Sequence, residues 1–215
     1  MTIHVRRWGR HAVAAAAAVA AAAVLAGCSG DGKPSALSQA GLHDKVRSAA
    51  GDSRRCPLDY DLDKAASAAH VPGSASPVSA SVDLPEDADK DAVLSTAHAT
   101  DVECDYTLGP EEVSVETVAA EKGSAAALLA PLIQRNAEMS SGQLTAYLGA
   151  LQKAPAGTPV VTPTGNVALV RLRGAGSDSV ALMVSCGTGQ DERGTKLTAK
   201  QVRALTGSLG GQAHW

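Results

Sequence analysis

An apolar run near the amino terminus limits how much of this chain is left to fold. Residues 12–25 are all alanine, valine or leucine, and they follow three arginines, Arg6, Arg7 and Arg10, in a segment without acidic residues. The run is shorter than the roughly 20 residues that a membrane-spanning helix needs. A basic segment, a short apolar run and then small residues are typical of a secretory signal peptide. We therefore predict that residues 1–27 are removed, which would leave 188 of the 215 residues to fold.

The run ends in Leu25-Ala26-Gly27-Cys28, which resembles the lipobox of bacterial lipoproteins. The resemblance implies cleavage before Cys28 and attachment of diacylglycerol to its thiol. Two acyl chains are enough for stable anchoring, so the mature chain is expected at the extracytoplasmic face of the cell membrane. The paired arginines near the start of the chain leave open whether export uses the general or the twin-arginine route.

Composition and charge describe the part that follows. Residues 28–53 are predicted to form a flexible tether that starts at the lipidated cysteine, because they are rich in Gly, Ser and Ala. Leu42 and Val46 are spaced for one short helical turn, which leaves open that the distal half of the tether docks on the domain. Residues 54–215 are predicted to form a single extracytoplasmic domain. Loss of three arginines leaves 16 Lys+Arg against 22 Asp+Glu, a formal charge of −6. Proteins that bind nucleic acid need clustered cations to neutralise phosphates, so we predict no nucleic-acid partner.

Hydrophobic periodicity predicts an α+β fold for this domain, with strands where apolar residues alternate and helices where they recur every three or four residues. The predicted strands are 78–84, 101–108, 112–119, 167–172 and 179–186. The predicted helices are 59–69, a region from Ser124 that Pro131 interrupts, one from Ser140 or Ser141 to about Leu151, and one from Thr198 to Leu209. Short turns join two of the strand pairs, so we expect an antiparallel sheet of about five strands, with helices packed mainly on one face.

Three cysteines lie beyond the lipobox: Cys56, Cys104 and Cys186. One disulfide and one free thiol is the simplest arrangement outside the cytosol. Cys104 and Cys186 are both on the apolar side of predicted strands, so two neighbouring strands would allow these two to pair. No C-x-x-C spacing occurs, which argues against a redox motif or a zinc ribbon.

Two further motifs accompany the lipobox. Cys56-Pro57 precedes an alanine-rich helix, and Cys104-Asp105-Tyr106 lies on a strand that leads into a hairpin. With this combination the chain resembles the DUF3558-type lipoproteins of high-GC Gram-positive bacteria over residues 54–209, although that family usually has Trp or another large aromatic residue where this chain has Tyr106. The resemblance implies an α+β fold and a disulfide between Cys56 and Cys104. It implies no catalytic residue.

Two acidic segments have the spacing of cation ligands without the rest of a site. Asp59-x-Asp61-x-Asp63 opens like a calcium loop, but Lys64 occupies the position where the loop needs glycine. We interpret this segment as the cap of a helix. The acidic run at 86–91 is interpreted as a solvated loop or helix start. We therefore predict no metal site.

Motifs for catalysis and cofactor binding are also missing from the sequence. The histidines of the mature chain are far apart and no His-Glu-x-x-His occurs; they are His43, His70, His98 and His214. Neither Gly-x-Ser-x-Gly nor Ser-x-x-Lys is present. The glycine-rich stretches at 174–177 and 187–189 lack the lysine of a phosphate-binding loop. We predict no catalytic residue and no cofactor.

These observations favour a membrane-anchored, non-enzymatic domain of the cell envelope that binds or interacts with a partner. The partner is expected to be a protein or a small molecule, in addition to the membrane that Cys28 would reach through its diacylglycerol. Two alternatives stay open. One is an envelope hydrolase whose site is assembled only in the fold, and the other is a sensor or accessory subunit of a membrane complex.

Overall fold

The computed structural model describes residues 36–49, 55–89, 92–187 and 194–215. The predicted signal peptide, the lipidation site Cys28 and the first part of the predicted tether lie outside these ranges. No helix within the described ranges is long and apolar enough to cross a membrane.

The strands form one antiparallel sheet. In chain order they are β1 (Ala75–Asp83), β2 (Ala99–Leu108), β3 (Glu111–Ala120), β4 (Val160–Val161), β5 (Val167–Leu172) and β6 (Ser179–Cys186). Their order across the sheet is β1-β2-β3-β6-β5-β4, and neighbouring strands run antiparallel. The predicted α+β class and the antiparallel sheet are therefore confirmed. The sheet has six strands where about five were expected, because the two residues of β4 are too few to produce a sequence pattern.

Seven helices occur in the described ranges: α1 (Gln39–Ala49), α2 (Leu62–Ala68), α3 (Val93–Ala97), α4 (Ala125–Leu128), α5 (Ala130–Asn136), α6 (Ser141–Lys153) and α7 (Ala199–Gly210). Polar side chains determine where the two longest of them begin. Ser140 and Gln143 form a capping box at α6, and Thr198 and Gln201 form another at α7. Each box gives hydrogen-bond partners to backbone N–H groups that a helix start leaves free. Pro131 lies in the first turn of α5, where its missing N–H costs nothing.

The helices cover both faces of the sheet, which corrects the prediction that they pack mainly on one. α1, α2 and α7 lie on what we call the first face, against side chains such as Val170 and Leu182. α4, α5 and α6 lie on the second face, against Leu169 and Met183. β5 and β6 are apolar at nearly every position, and neighbouring residues of a strand point to opposite faces. These two strands therefore bury side chains on both sides.

The helix α1 belongs to the folded domain, although its residues fall within the range 28–53 that was predicted as a tether. Leu42 on α1 is fully buried in the first-face core. Trp215 at the carboxyl end donates its indole N–H to the carbonyl oxygen of Ser38 at 2.9 Å, which holds the start of the helix. Pro34–Trp215 form one compact unit.

A disulfide joins Cys56, just before α2, to Cys104 in the middle of β2, with their Cα atoms 5.4 Å apart. This is the pairing that the resemblance to DUF3558-type lipoproteins implies. The alternative pair, Cys104 with Cys186, is not formed, and Cys186 is free and buried. β3 lies between β2 and β6. Strands separated by one other strand are about 9.6 Å apart, which exceeds the roughly 7 Å that a disulfide can bridge.

Candidate functional site

The second face of the sheet is acidic where no helix covers it. Helices α4, α5 and α6 cover this face over β5, β6 and part of β3. On β2, the even-numbered residues at 102–108 point into the first-face core, as the alternation predicted. The odd-numbered residues must therefore point to the second face. They include Asp101, Glu103 and Asp105, a row of three carboxylates.

Serine hydroxyls from both neighbouring strands hold two of these carboxylates. Ser79 on β1 donates to Asp105 Oδ2 at 2.7 Å. Glu103 accepts from Ser81 on β1 at 3.3 Å and from Ser114 on β3 at 3.2 Å. Hydrogen bonds from hydroxyl groups stabilise an ionised carboxylate and fix its orientation. Two negative charges therefore have set positions on this face.

A cleft of about 410 Å³ lies between this acidic face and the end of α5. Glu103, Asp105 and Glu112 line it on the sheet side, and Arg135 and Asn136 line it on the helix side. We call it the acidic cleft. Its lining presents carboxylates, a guanidinium and an amide, which together can bind a polar ligand that carries a positive charge and a hydrogen-bond acceptor.

The helix side of the acidic cleft is partly fixed and partly free. Asn136 donates its Nδ2 to Ser185 Oγ at 3.1 Å, and its backbone carbonyl accepts from Asn166 Nδ2 at 2.8 Å. Arg135 is exposed and contacts Asn136 Oδ1 at 3.4 Å. Within the described ranges it forms no ion pair shorter than 4.0 Å. Its guanidinium is therefore available to a ligand.

A buried pair of carboxyls lies next to the acidic cleft but outside its lining. Glu116 is only 4 % exposed, and Asp101 Oδ1 is buried without a hydrogen-bond partner. Burial is the largest cause that raises the pKa of each carboxyl, and the nearby carboxylate of Glu103 raises both further. The two side chains are within hydrogen-bonding reach of each other. We infer that they share a proton at neutral pH.

The three aspartates with calcium-loop spacing are used separately by the fold. Asp59 pairs with Lys45 Nζ at 2.7 Å, and this hydrogen bond lowers the pKa of Asp59. Asp61 caps α2 by accepting from the backbone N–H of Lys64 at 2.8 Å. Asp63 accepts from a backbone N–H at the start of β1 at 2.7 Å. In the described part of the chain, no three His, Cys, Asp or Glu residues are grouped so that they could hold a metal ion.

The second acidic segment is tied to α1 at its first residue. Glu86 accepts from Arg47 Nη1 and contacts His43 Nε2, both at 2.8 Å, and the hydrogen bond with His43 lowers the pKa of Glu86. Lys90 and Asp91, at the end of this segment, lie outside the described residues. Neither His43 nor any other histidine is part of the described lining of the acidic cleft.

Comparison of the chain with protein-family models, curated proteins and solved structures finds no match. The interpretation of the cleft therefore depends on its own residues. The Cys56–Cys104 disulfide is typical of proteins that fold outside the cytosol. The apolar side of the alternation at 101–108 predicted the buried face of β2, and the three carboxylates at every second position on its other side are the signal in the sequence for the acidic face.

Proposed function

We propose that this protein is a lipid-anchored, extracytoplasmic binding domain whose ligand occupies the acidic cleft. The observation that carries the proposal is the uncovered part of the second face, where the sheet and α5 enclose a cleft with charges of both signs. A disulfide and a signal-like amino terminus ending in Cys28 agree with a location at the outer side of the membrane.

The arrangement of charges indicates the class of ligand. Glu103 and Asp105 are held by serine hydroxyls and present a fixed negative site, which suits an ammonium or guanidinium group. Arg135 is on the opposite side and suits an acceptor oxygen of the same ligand. The ligand is then a small polar molecule, or the end of a basic peptide, with at least one positive charge.

Binding explains the acidic cleft better than hydrolysis does. The carboxyls with raised pKa, Asp101 and Glu116, would suit a general acid, and they are the observation that favours an envelope hydrolase as the second candidate function. However, they do not line the cleft, and two of the three carboxylates that do line it, Glu103 and Asp105, are already engaged by serine hydroxyls. A hydrolase would need its proton donor in contact with the ligand.

The anchoring part of the proposal is tested by mass spectrometry of the chain purified from bacterial membranes. We expect the chain to begin at Cys28 and to carry the mass of a diacylglycerol. Cys28→Ser should lose this mass and leave the membrane fraction. An unmodified Cys28 within an uncleaved chain would refute lipid anchoring.

The binding part is tested by amide chemical shifts during titration with spermidine, a polyamine, and with citrate, a polyanion of similar size. Spermidine should shift amides of β2, β3 and α5 selectively. Glu103→Gln with Asp105→Asn should abolish these shifts, while Asp87→Asn, which removes an exposed carboxylate elsewhere, should leave them intact. If spermidine shifted no amides around the cleft, or if Asp87→Asn weakened binding equally, the proposed site would be wrong.

A further inference from the structure

A shallow apolar groove lies at the end of the sheet where β2 begins and β3 ends. Its lining includes Val93 and Ala97 from α3, Ala127 and Leu128 from α4, and Lys122 between β3 and α4. The described lining contains no carboxylate. Val93 is the first residue of α3 and is 68 % exposed, so it adds a large aliphatic side chain to an apolar surface that faces water. We call this surface the apolar groove.

The chain enters the domain at the same end of the sheet. The backbone N–H of Leu37 donates to Arg173 at 3.2 Å, and the carbonyl of Leu37 accepts from Ala175 at 2.6 Å. These partners belong to the turn that joins β5 to β6. β6 starts at Ser179, which pairs with Ala120 at the end of β3. Ala120 pairs in turn with the first residue of β2, directly after α3.

The length of the intervening chain limits how far this end can be from a lipid at Cys28. Eight residues follow Cys28 up to and including Ala36. Whatever their arrangement, they span at most about 29 Å. From this end of the sheet, the ten residues of β2 extend about 30 Å to the opposite end. Tyr106 and Thr107, near that opposite end, line the acidic cleft. The end with the apolar groove is therefore the one that the anchor holds near the bilayer.

We propose that the apolar groove rests on the lipid bilayer and that Val93 inserts into the interface between headgroups and acyl chains. This inference depends on the proposed lipidation of Cys28. An exposed aliphatic side chain gains from leaving water at such an interface, and Lys122 at the edge can extend to the headgroups. With the domain seated in this way, the acidic cleft opens away from the membrane.

A matched pair of tryptophan probes tests the contact. Val93 and Val78 are the two large aliphatic residues that are clearly exposed in the described ranges, at 68 % and 52 %. Val78 lies beside Pro77 and Ser79, which pair with Tyr106 and Asp105 of β2, about 20 Å along the sheet from the apolar groove. The full chain with Val93→Trp or Val78→Trp would be reconstituted into phosphatidylcholine vesicles that contain lipids brominated on the acyl chains.

We expect the brominated lipids to quench the added tryptophan of V93W strongly and that of V78W no more than the background of the wild-type protein, which comes from Trp215 once residues 1–27 are removed. Equal quenching of the two variants, or quenching of neither while the protein is bound to vesicles, would overturn the seating. Mass spectrometry of the same sample shows whether Cys28 carries lipid. If it does not, the proposed anchoring fails, and the same variants coupled through the Cys28 thiol to a maleimide lipid still decide whether the apolar groove contacts the bilayer.

Discussion

Replacing Glu116 with glutamine should make the domain more stable at neutral and alkaline pH and should flatten the dependence of its stability on pH. Glu116 and Asp101 form the buried carboxyl pair, in which burial raises the pKa of both groups. The folded domain keeps a proton on this pair at neutral pH. In the unfolded chain both carboxyls have ordinary pKa values and are ionised above about pH 5.

The sign and size of the effect follow from this difference in protons. Unfolding releases the shared proton, so the free energy of unfolding falls as pH rises above the pKa of the unfolded carboxyls. One proton contributes about 1.4 kcal/mol per pH unit. Between about pH 6 and about pH 8 the wild type should therefore lose about 3 kcal/mol through this pair. In Glu116→Gln the amide has no proton to release, and its N–H can donate to the unpartnered Asp101 Oδ1.

Urea unfolding at a series of pH values measures this effect directly. We expect the stability curves of wild type and Glu116→Gln to approach each other at acidic pH and to diverge as pH rises, with the variant more stable. Glu112→Gln removes an exposed carboxylate from the same strand and controls for the general loss of negative charge. Parallel curves for Glu116→Gln and wild type, or a variant that is less stable at about pH 8, would refute the shared proton.

Three further predictions concern the disulfide, the carboxyl end and the free thiol. Replacing both Cys56 and Cys104 with serine opens a loop of 48 residues, which should lower the free energy of unfolding in urea by about 4 kcal/mol; a loss no larger than that of a surface serine substitution would contradict this. Trp215→Ala removes the hydrogen bond to Ser38, so hydrogen exchange should become faster at α1 and stay unchanged at α7. Burial raises the pKa of the Cys186 thiol to about 12, so the native domain should not react with a thiol reagent until urea unfolds it, and rapid labelling would be the contrary result.

The elements of this fold could be predicted because their local patterns are strong. The alternation at 101–108 is a strand with one face in the core, and β2 follows it residue for residue. Thr198 caps α7 as its position predicts, and Ser140, one of the two serines considered as the cap of α6, is the one that caps it. These features depend on neighbours a few residues apart in the chain, and a single sequence contains that information.

The arrangement of the elements was harder to predict because it depends on distant contacts. β5 and β6 are apolar at nearly every position, but the need for a second layer of helices follows only when both of their faces are considered together. The residues of α1 were assigned to the tether because the helix contains only two larger apolar residues, Leu42 and Val46. Their burial depends on a pocket formed by residues far along the chain, including Trp215.

The acidic cleft could not be predicted from the order of residues alone. Glu103 is flanked by Ser81 and Ser114 only in the register of the sheet, and Arg135 faces these carboxylates only because α5 packs across the second face. The row of carboxylates at 101–105 was the available signal. A charged strand face usually contacts water, so the row by itself did not indicate a site.

The contact between Trp215 and Ser38 brings the carboxyl end of the chain to the helix where the domain begins. A reporter protein fused after Trp215 would therefore start beside α1, at the end of the sheet where β2 begins. Such a fusion would compete with the indole for its position on α1. A label attached at position 110, an exposed proline in the turn between β2 and β3, would instead mark the end of the sheet that carries the acidic cleft. It would leave both ends of the chain unchanged.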